Sequence, residues 1–92
     1  MAQTQVVLKA RYKAVEGSNP EYAQGALEKN ELAHREISPL VFLIEVDPPG
    51  DIDDWTKNLN DMVDEKNGRF SVEHPTPGEE EAVRNGQITL QK

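Results

Sequence analysis

The most apolar stretch of the chain runs from Leu40 to Val46 and includes a single charged residue, Glu45. Pro39 and Pro48 bound this stretch. It is too short for a buried helix and is rich in β-branched and aromatic residues, so it predicts a strand. Apolar side chains at consecutive positions point to both faces of a sheet, which is typical of a strand covered on both sides. We therefore expect residues 40–46 to form a central strand.

A helix is predicted directly after this strand, from Asp51 to Asn67. The Asp51 side chain can accept a hydrogen bond from the free amide of Asp54, and Gly68 is a typical stop beyond the C-terminus. Apolar residues recur at helical spacing and form one stripe: Ile52, Trp55, Leu59, Met62 and Val63. We expect this stripe to pack on the 40–46 strand, with Trp55 largely buried at its middle.

The first predicted strand, residues 5–15, alternates between an apolar and a basic face. One face carries Val6, Leu8, Ala10, Tyr12 and Ala14. The other face carries Val7 and three cations, Lys9, Arg11 and Lys13, which we name the basic strand residues. This alternation is typical of a strand with one buried and one solvated face. We predict that its edge is unpaired, which makes the basic strand residues a candidate partner-binding set and a homodimer a further expectation.

Two interpretations of residues 21–37 remain open. The Asn-Pro pair that precedes them fits the start of a helix. One helical face would carry Tyr22, Ala26, Ala33 and Ile37. However, Leu32 points away from that face, and Gly25 costs about 1 kcal/mol inside a helix. The alternative is an irregular excursion or a hairpin arm that leads into the 40–46 strand.

The C-terminal part of the chain again has two interpretations. Residues 69–74 alternate and predict a third strand. Thr76 and Glu79 then match a capping box with a proline at the first helical position, which predicts a short helix ended by Gly86. A rival interpretation uses the Asn-Gly pair at 85–86 as a two-residue hairpin turn. Residues 87–91 predict a last strand.

This order of elements predicts one domain over residues 1–92 with an α+β fold. We expect a four-stranded mixed sheet with one main amphipathic helix packed on one face. A β-grasp-like arrangement suits the order if residues 16–37 are an insertion. Such a likeness of layout implies no function.

The net charge of −7 is unevenly distributed along the 92 residues. Residues 1–15 contain three basic and no acidic side chains, whereas residues 45–65 contain eight acidic side chains against Lys57 alone. An acidic surface repels phosphate backbones, so direct nucleic-acid binding is not expected. A basic protein is the partner that such a surface complements.

Hydropathy and cysteine content limit the location of the protein. No apolar run approaches the roughly 20 residues of a membrane span, and no signal peptide is visible, so we expect no membrane association and a cytoplasmic location. The chain contains no cysteine, which excludes disulfides and thiolate chemistry and leaves the redox compartment open.

No motif for catalysis or metal binding is apparent. Four aspartates surround the DPPG turn: Asp47, Asp51, Asp53 and Asp54. They suggest a weak cation site, but their spacing is not that of a calcium loop, and Asp51 already has a role as a helix cap. His34 and His74 belong to no zinc-ligand motif, and none of the serines lies in a nucleophile motif. We therefore expect no catalytic residue, no metal site and no cofactor, and we predict that the chain is not an enzyme.

The strongest functional candidate is a set of carboxylates on the 51–67 helix, which we name the acidic face: Asp53, Asp54, Asp61, Asp64 and Glu65. One interpretation is a solvated surface that keeps a small protein soluble. The other is a surface that steers a basic protein partner. The sequence thus favours a non-enzymatic protein–protein interaction module that acts through a protein partner or self-association. The alternative is an acidic inhibitor that mimics nucleic acid and binds a DNA- or RNA-binding protein.

Overall fold

The computed structural model describes residues 6–91. Its elements are β1 (Val6–Ala14), α1 (Glu21–Lys29), β2 (Ala33–Ser38), β3 (Val41–Val46), α2 (Ile52–Asp61), β4 (Gly68–Glu73) and α3 (Pro77–Arg84). The predicted α+β class is confirmed. Gln5, the first residue of the predicted N-terminal strand, lies outside the described residues, as do the ends of the predicted domain at positions 1 and 92.

The four strands form one sheet in the order β2-β3-β1-β4, and every neighbouring pair is antiparallel. The elements from β1 to β4 follow the order β-α-β-β-α-β, which in this sheet is the split β-α-β arrangement of ferredoxin-like domains. The sheet is therefore antiparallel and not mixed, and the β-grasp-like layout gains no support. The strand predicted at 87–91 is replaced in the sheet by β2, and β1 lies in the interior of the sheet, where it pairs with β3 on one side and, from Lys9 onward, with β4 on the other.

The main core lies on one face of the sheet. Directly opposed residues of an antiparallel pair project to the same side. Tyr12 of β1 lies opposite Phe70 of β4, with ring centroids 4.9 Å apart, and Leu8 lies opposite Ile44 of β3. Both α1 and α2 pack on this face, α1 against β2 and α2 against β4. The residues predicted for the apolar face of β1 thus line the core, as the alternation indicated.

The reverse face of the sheet is also covered at its centre. Leu43 of β3 projects to this face, opposite Lys9 of β1, and is 0% exposed. Glu79 of α3 reaches Lys9 from this side, with 3.1 Å between Nζ and Oε2. The prediction that β3 is a central strand buried on both faces is therefore confirmed.

Helix α2 begins as the sequence predicts but ends earlier. The Asp51 side chain accepts from the Asp54 amide at 3.1 Å, which confirms the predicted cap. The last helical residue is Asp61, so Met62 and Val63 lie beyond the helix, although Val63 still packs against the core. Met62 is 45% exposed, whereas Leu59 is fully buried. Trp55 has intermediate exposure and packs against the margin of the core, so it is less deeply buried than Leu59.

Residues 21–37 combine the two open interpretations. A helix forms from Glu21 to Lys29, and a strand arm from Ala33 leads by a tight turn into β3. Between them Glu31 adopts a φ of 56°, which turns the chain and places Leu32 in the core, 6% exposed. The helix therefore ends before the position at which Leu32 would have pointed to solvent.

Helix α3 confirms the capping-box interpretation over the hairpin. The Thr76 hydroxyl accepts from the Glu79 amide at 3.2 Å, and Glu79 accepts from the Thr76 amide at 2.8 Å. Arg84 is the last helical residue, and Gly86 follows with a φ of 78°. The predicted strand at 87–91 is reduced to an isolated bridge between Gln91 and His34.

The side chain of Asn60 forms two hydrogen bonds with the main chain of β4 at Phe70, as a neighbouring strand would. Phe70 donates its N–H to Asn60 Oδ1 at 2.6 Å, and Asn60 Nδ2 donates to the Phe70 carbonyl at 3.2 Å. Both main-chain groups point to the open side of β4, where an edge strand would otherwise present unpaired groups. The Asn60 amide thus joins α2 to this edge of the sheet.

We expect Asn60→Ala to lower the free energy of unfolding by about 1–3 kcal/mol, because two partly buried main-chain groups of Phe70 lose their partners. Asn58→Ala is the matched control, since Asn58 is exposed on the outer side of the same helix and should change stability by less than about 0.5 kcal/mol. Urea titrations of both variants measure the difference. Equal midpoints would show that the Asn60 amide contributes nothing to the edge.

Candidate interaction surface

The acidic face lies on the outer side of α2 and on the loop that follows it. Asp53, Asp54 and Asp61 recur at helical spacing on the side opposite Leu59, and all three are exposed. Asp64 and Glu65 lie beyond the end of α2 and are exposed as well. Three of the five predicted residues therefore share one side of α2, and the other two are held by the loop that follows it.

Most of these carboxylates have no cation partner within the protein. Within residues 6–91, Asp53, Asp54, Asp61 and Asp64 form no ion pair. Asp64 only accepts from the Lys66 amide, at 3.0 Å. Glu65 pairs with Arg69 at 3.4 Å, and both side chains are largely exposed. The acidic face therefore presents negative charge that the described part of the chain does not neutralise.

The basic strand residues are, by contrast, mostly neutralised. Lys9 pairs with Glu79, and these side chains are only 15% and 21% exposed. Arg11 pairs with Glu73 of β4 at 2.9 Å. Lys13 is exposed and forms no ion pair with the described residues. Because β1 lies between β3 and β4 and two of its three cations are paired, the free basic edge expected of β1 is not observed among the described residues.

The contacts of Glu79 lower the pKa of its carboxyl group. Acceptance from the Thr76 amide lowers the pKa of the Glu79 carboxyl most, with burial acting in the opposite direction and Lys9 lowering it further. The folded state therefore favours the ionised form of Glu79. This contribution to stability is present at neutral pH and is lost as the pH falls below the ordinary range of a glutamate.

Met62 is a candidate that the sequence pattern missed. Its place in the apolar stripe predicted an inward side chain, but it is exposed next to Asp61 because α2 ends there. An exposed methionine among carboxylates combines a deformable apolar contact with a polar surround, which is common at protein interfaces. Local propensity does not mark this helix end, because Met62, Glu65 and Lys66 are all good helix formers.

The histidines lie far apart in the sheet, and Ser18 has a structural role. Within residues 6–91, no group of three or more His, Asp or Glu side chains is arranged to hold a metal ion. His34 lies on β2 and His74 follows β4, at opposite edges of the sheet. Ser18 lies within 2.6 Å of the carbonyl oxygens of Val15 and Asn67 and supports the loop after β1.

Tyr12 carries a buried hydroxyl that no other group contacts by a hydrogen bond among the described residues. Burial raises the pKa of this phenol, and Tyr22 raises it further. The ring packs on Phe70 and the residue is 3% exposed. Tyr12 is therefore a core residue that solvent does not reach.

A groove separates α1 from β2. Its wider end, about 670 Å³, lies between the start of α1 and the β2–β3 turn, and its narrower end, about 290 Å³, continues toward His34. The two ends share Gln24, Glu36 and Phe42. We name this space the α1–β2 groove. A further cavity of about 290 Å³ lies between Glu31, Glu45 and Trp55.

No protein-family model matches this chain, and no curated protein or solved structure matches it significantly. Among the described residues, none of the helices has the length and apolar character needed to cross a membrane.

Proposed function

We propose that this chain is a non-enzymatic protein–protein interaction module whose acidic face binds a basic protein partner. The observation that carries the proposal is the contrast in pairing. Glutamates of this chain pair with Lys9, Arg11, Arg69 and Arg84, whereas Asp53, Asp54, Asp61 and Asp64 form no ion pair within residues 6–91. The negative charge of the acidic face is therefore available to a partner.

A charged surface acts on the encounter with a partner, and an exposed apolar residue anchors the complex. A concentrated patch of one charge raises the association rate with an oppositely charged partner and selects against acidic ones. Charge at an exposed rim adds little affinity by itself, so a stable contact also needs an apolar anchor. Met62, at the end of α2, supplies such an anchor beside Asp61 and Asp64.

The second candidate is an inhibitor that mimics nucleic acid, and the row of unpaired carboxylates is what favours it. Lys57 lies on the same outer side of α2, between Asp53 and Asp61, and breaks the row. A phosphate mimic gains from an uninterrupted negative row, whereas a protein contact tolerates mixed charge and uses Met62. The interaction module is therefore the better supported of the two.

The test is the change of Asp53, Asp54 and Asp61 together to asparagine. Asp64 is kept, because it accepts from the Lys66 amide. We expect a partner captured from the host by wild type to bind this variant with an association rate at least about tenfold lower at low salt. The measurement is surface plasmon resonance against that partner, at about 50 mM and about 500 mM salt.

The control variant carries Glu16, Glu31 and Glu81 changed to glutamine. All three are exposed and lie outside the acidic face, so the net charge changes equally. This variant should bind like wild type. If both variants lose association rate equally, the loss comes from the change in net charge, and the proposal of a defined binding face is contradicted. Displacement of the partner by duplex DNA or RNA would favour the mimic instead.

A further inference from the structure

The outer edge of β2 is only partly paired. His34 donates its N–H to the Gln91 carbonyl at 3.0 Å, and Gln91 donates its N–H to the His34 carbonyl at 3.1 Å. This single antiparallel bridge shows that an extended segment fits beside β2. Because the bridge is antiparallel, the residues before Gln91 approach from the side of the β2–β3 turn, but among the described residues they do not continue the pairing along Arg35 and Glu36.

The next outward-facing residue of β2 is Glu36. In an antiparallel ladder, alternate residues direct both main-chain groups toward the same neighbouring strand. His34 directs both groups outward to Gln91, so Glu36, two residues on, also directs its N–H and carbonyl outward. No described residue bonds to either group. The edge therefore offers an unused donor and an unused acceptor beside the α1–β2 groove.

The groove has a shape suited to side chains of such an added strand. Phe42 and Ile37 provide apolar surface, and Ile37 is the extra residue of the irregularity between Glu36 and Ser38. Helix α1 forms the opposite wall through Glu21, Gln24 and Glu28. Every second side chain of a strand paired to β2 would enter this space.

The charges of the groove select the chemistry of the occupant. Three carboxylates line it, from Glu21, Glu28 and Glu36, against a single cation, Arg35. Glu21 and Glu28 form no ion pair with the described residues, and Glu36 accepts only from the Leu40 amide, at 3.1 Å. A basic side chain entering the groove would be paired, whereas an acidic one would be repelled.

We propose that β2 accepts an extended peptide segment as a fifth strand, and that this segment alternates apolar residues with lysine or arginine. Main-chain bonds to Glu36 supply the pairing, and the basic side chains, which all lie on one face of the added strand, enter the α1–β2 groove and supply the selectivity. This surface lies on α1 and β2, apart from the acidic face on α2. The proposal therefore goes beyond the proposed function and does not depend on it.

The probe is an acetylated, amidated heptapeptide of alternating lysine and valine, titrated into ¹⁵N-labelled protein. We expect saturable shifts in the amide signals of β2 and α1, with those of α2 unchanged. The same heptapeptide with glutamate in place of lysine should bind at least about tenfold more weakly. Binding of both peptides alike would overturn the charge assignment.

Two N-methylated versions of the lysine–valine peptide test main-chain pairing. One is methylated on the lysine amides and the other on the valine amides, so each blocks one edge of the added strand. One version should lose at least about tenfold in affinity, while the other stays within about threefold of the parent peptide. Equal affinities of all three peptides would overturn strand addition, and this comparison requires no change to the protein.

Protein variants provide the reciprocal test. Glu36→Pro removes the outward N–H at an edge position, where proline is tolerated, and Glu36→Gln removes the charge but keeps the N–H. Glu36→Pro should abolish peptide binding, whereas Glu36→Gln should weaken it by less than tenfold. Glu21→Gln with Glu28→Gln should weaken binding, and Glu16→Gln with Glu81→Gln should not.

Each result decides the proposal. Shifts confined to β2 and α1, with one sensitive methylation pattern, support it. Shifts on the acidic face alone, no saturable shift, or pairing of β2 with β2 of a second copy in the absence of peptide would each overturn it. Because the signals of α2 and of β2 are resolved separately, a failure here leaves the proposed function of the acidic face intact.

Discussion

Gly68→Ala should destabilise the protein by about 2–5 kcal/mol, because the new methyl group has no space and the backbone conformation disfavours it. Gly68 begins β4 with a φ of 156°. A Cβ at this position would lie 2.5 Å from the Tyr12 ring and hydroxyl and 2.6 Å from the Lys13 carbonyl oxygen. The Lys13 carbonyl is part of the β1 main chain, and Tyr12 is held by Phe70, so neither can move away cheaply.

Gly25→Ala is the matched control for this change. Gly25 lies inside α1, and a Cβ there would meet no atom within 4 Å. Alanine should therefore stabilise the protein by about 0.5–1 kcal/mol through helix propensity. Thermal and urea unfolding of both variants gives the two values. If the two substitutions shift stability in the same direction, the close approach of Tyr12 to Gly68 is not a feature of the folded protein.

Leu43→Ala is expected to cost about 2–5 kcal/mol, the range for truncation of a fully buried leucine. Leu43 is 0% exposed although it projects away from the main core, to the face of the sheet where Lys9 pairs with Glu79. Glu79 of α3 reaches Lys9 on this face, which places the start of α3 over the sheet there. The substitution thus tests whether the sheet has two covered faces in solution.

The comparison for Leu43 is Leu90→Ala. Leu90 lies in the segment after α3 and is half-buried, so its truncation should cost clearly less, about 1–2 kcal/mol. Urea titrations with equal slopes make the two values comparable. A cost below about 1 kcal/mol at Leu43 would mean that the reverse face is open to water.

Both of these large effects depend on partners far away in the chain. Gly68 is constrained by Tyr12, and Leu43 by elements on both sides of β3. Neither effect follows from local pattern. A glycine after Asn67 was expected as a helix stop, and its contact with β1 became apparent only when the strands were paired.

The candidate surfaces also divide into features that the sequence pattern predicts and features that only the tertiary structure decides. The acidic face was predicted from the sequence because helical spacing alone places Asp53, Asp54 and Asp61 on one side. Which carboxylates are neutralised was not predictable, since Lys9 and Glu79 are separated by 70 positions. The exposure of Met62 and the groove beside β2 likewise depend on where a helix ends and on which strand lies at the edge.

The sequence by itself determined the elements whose signals are local. Two-residue alternation specified β1 and β4, a continuous apolar run specified β3, and side-chain caps specified the starts of α2 and α3, because each depends only on neighbouring residues. Tertiary structure decided the antiparallel order β2-β3-β1-β4, the break between α1 and β2 and the half-burial of Trp55. These features depend on which surfaces meet, and the free energy of burying Leu32 and Leu27 in a shared core outweighs the small local preference for a longer helix.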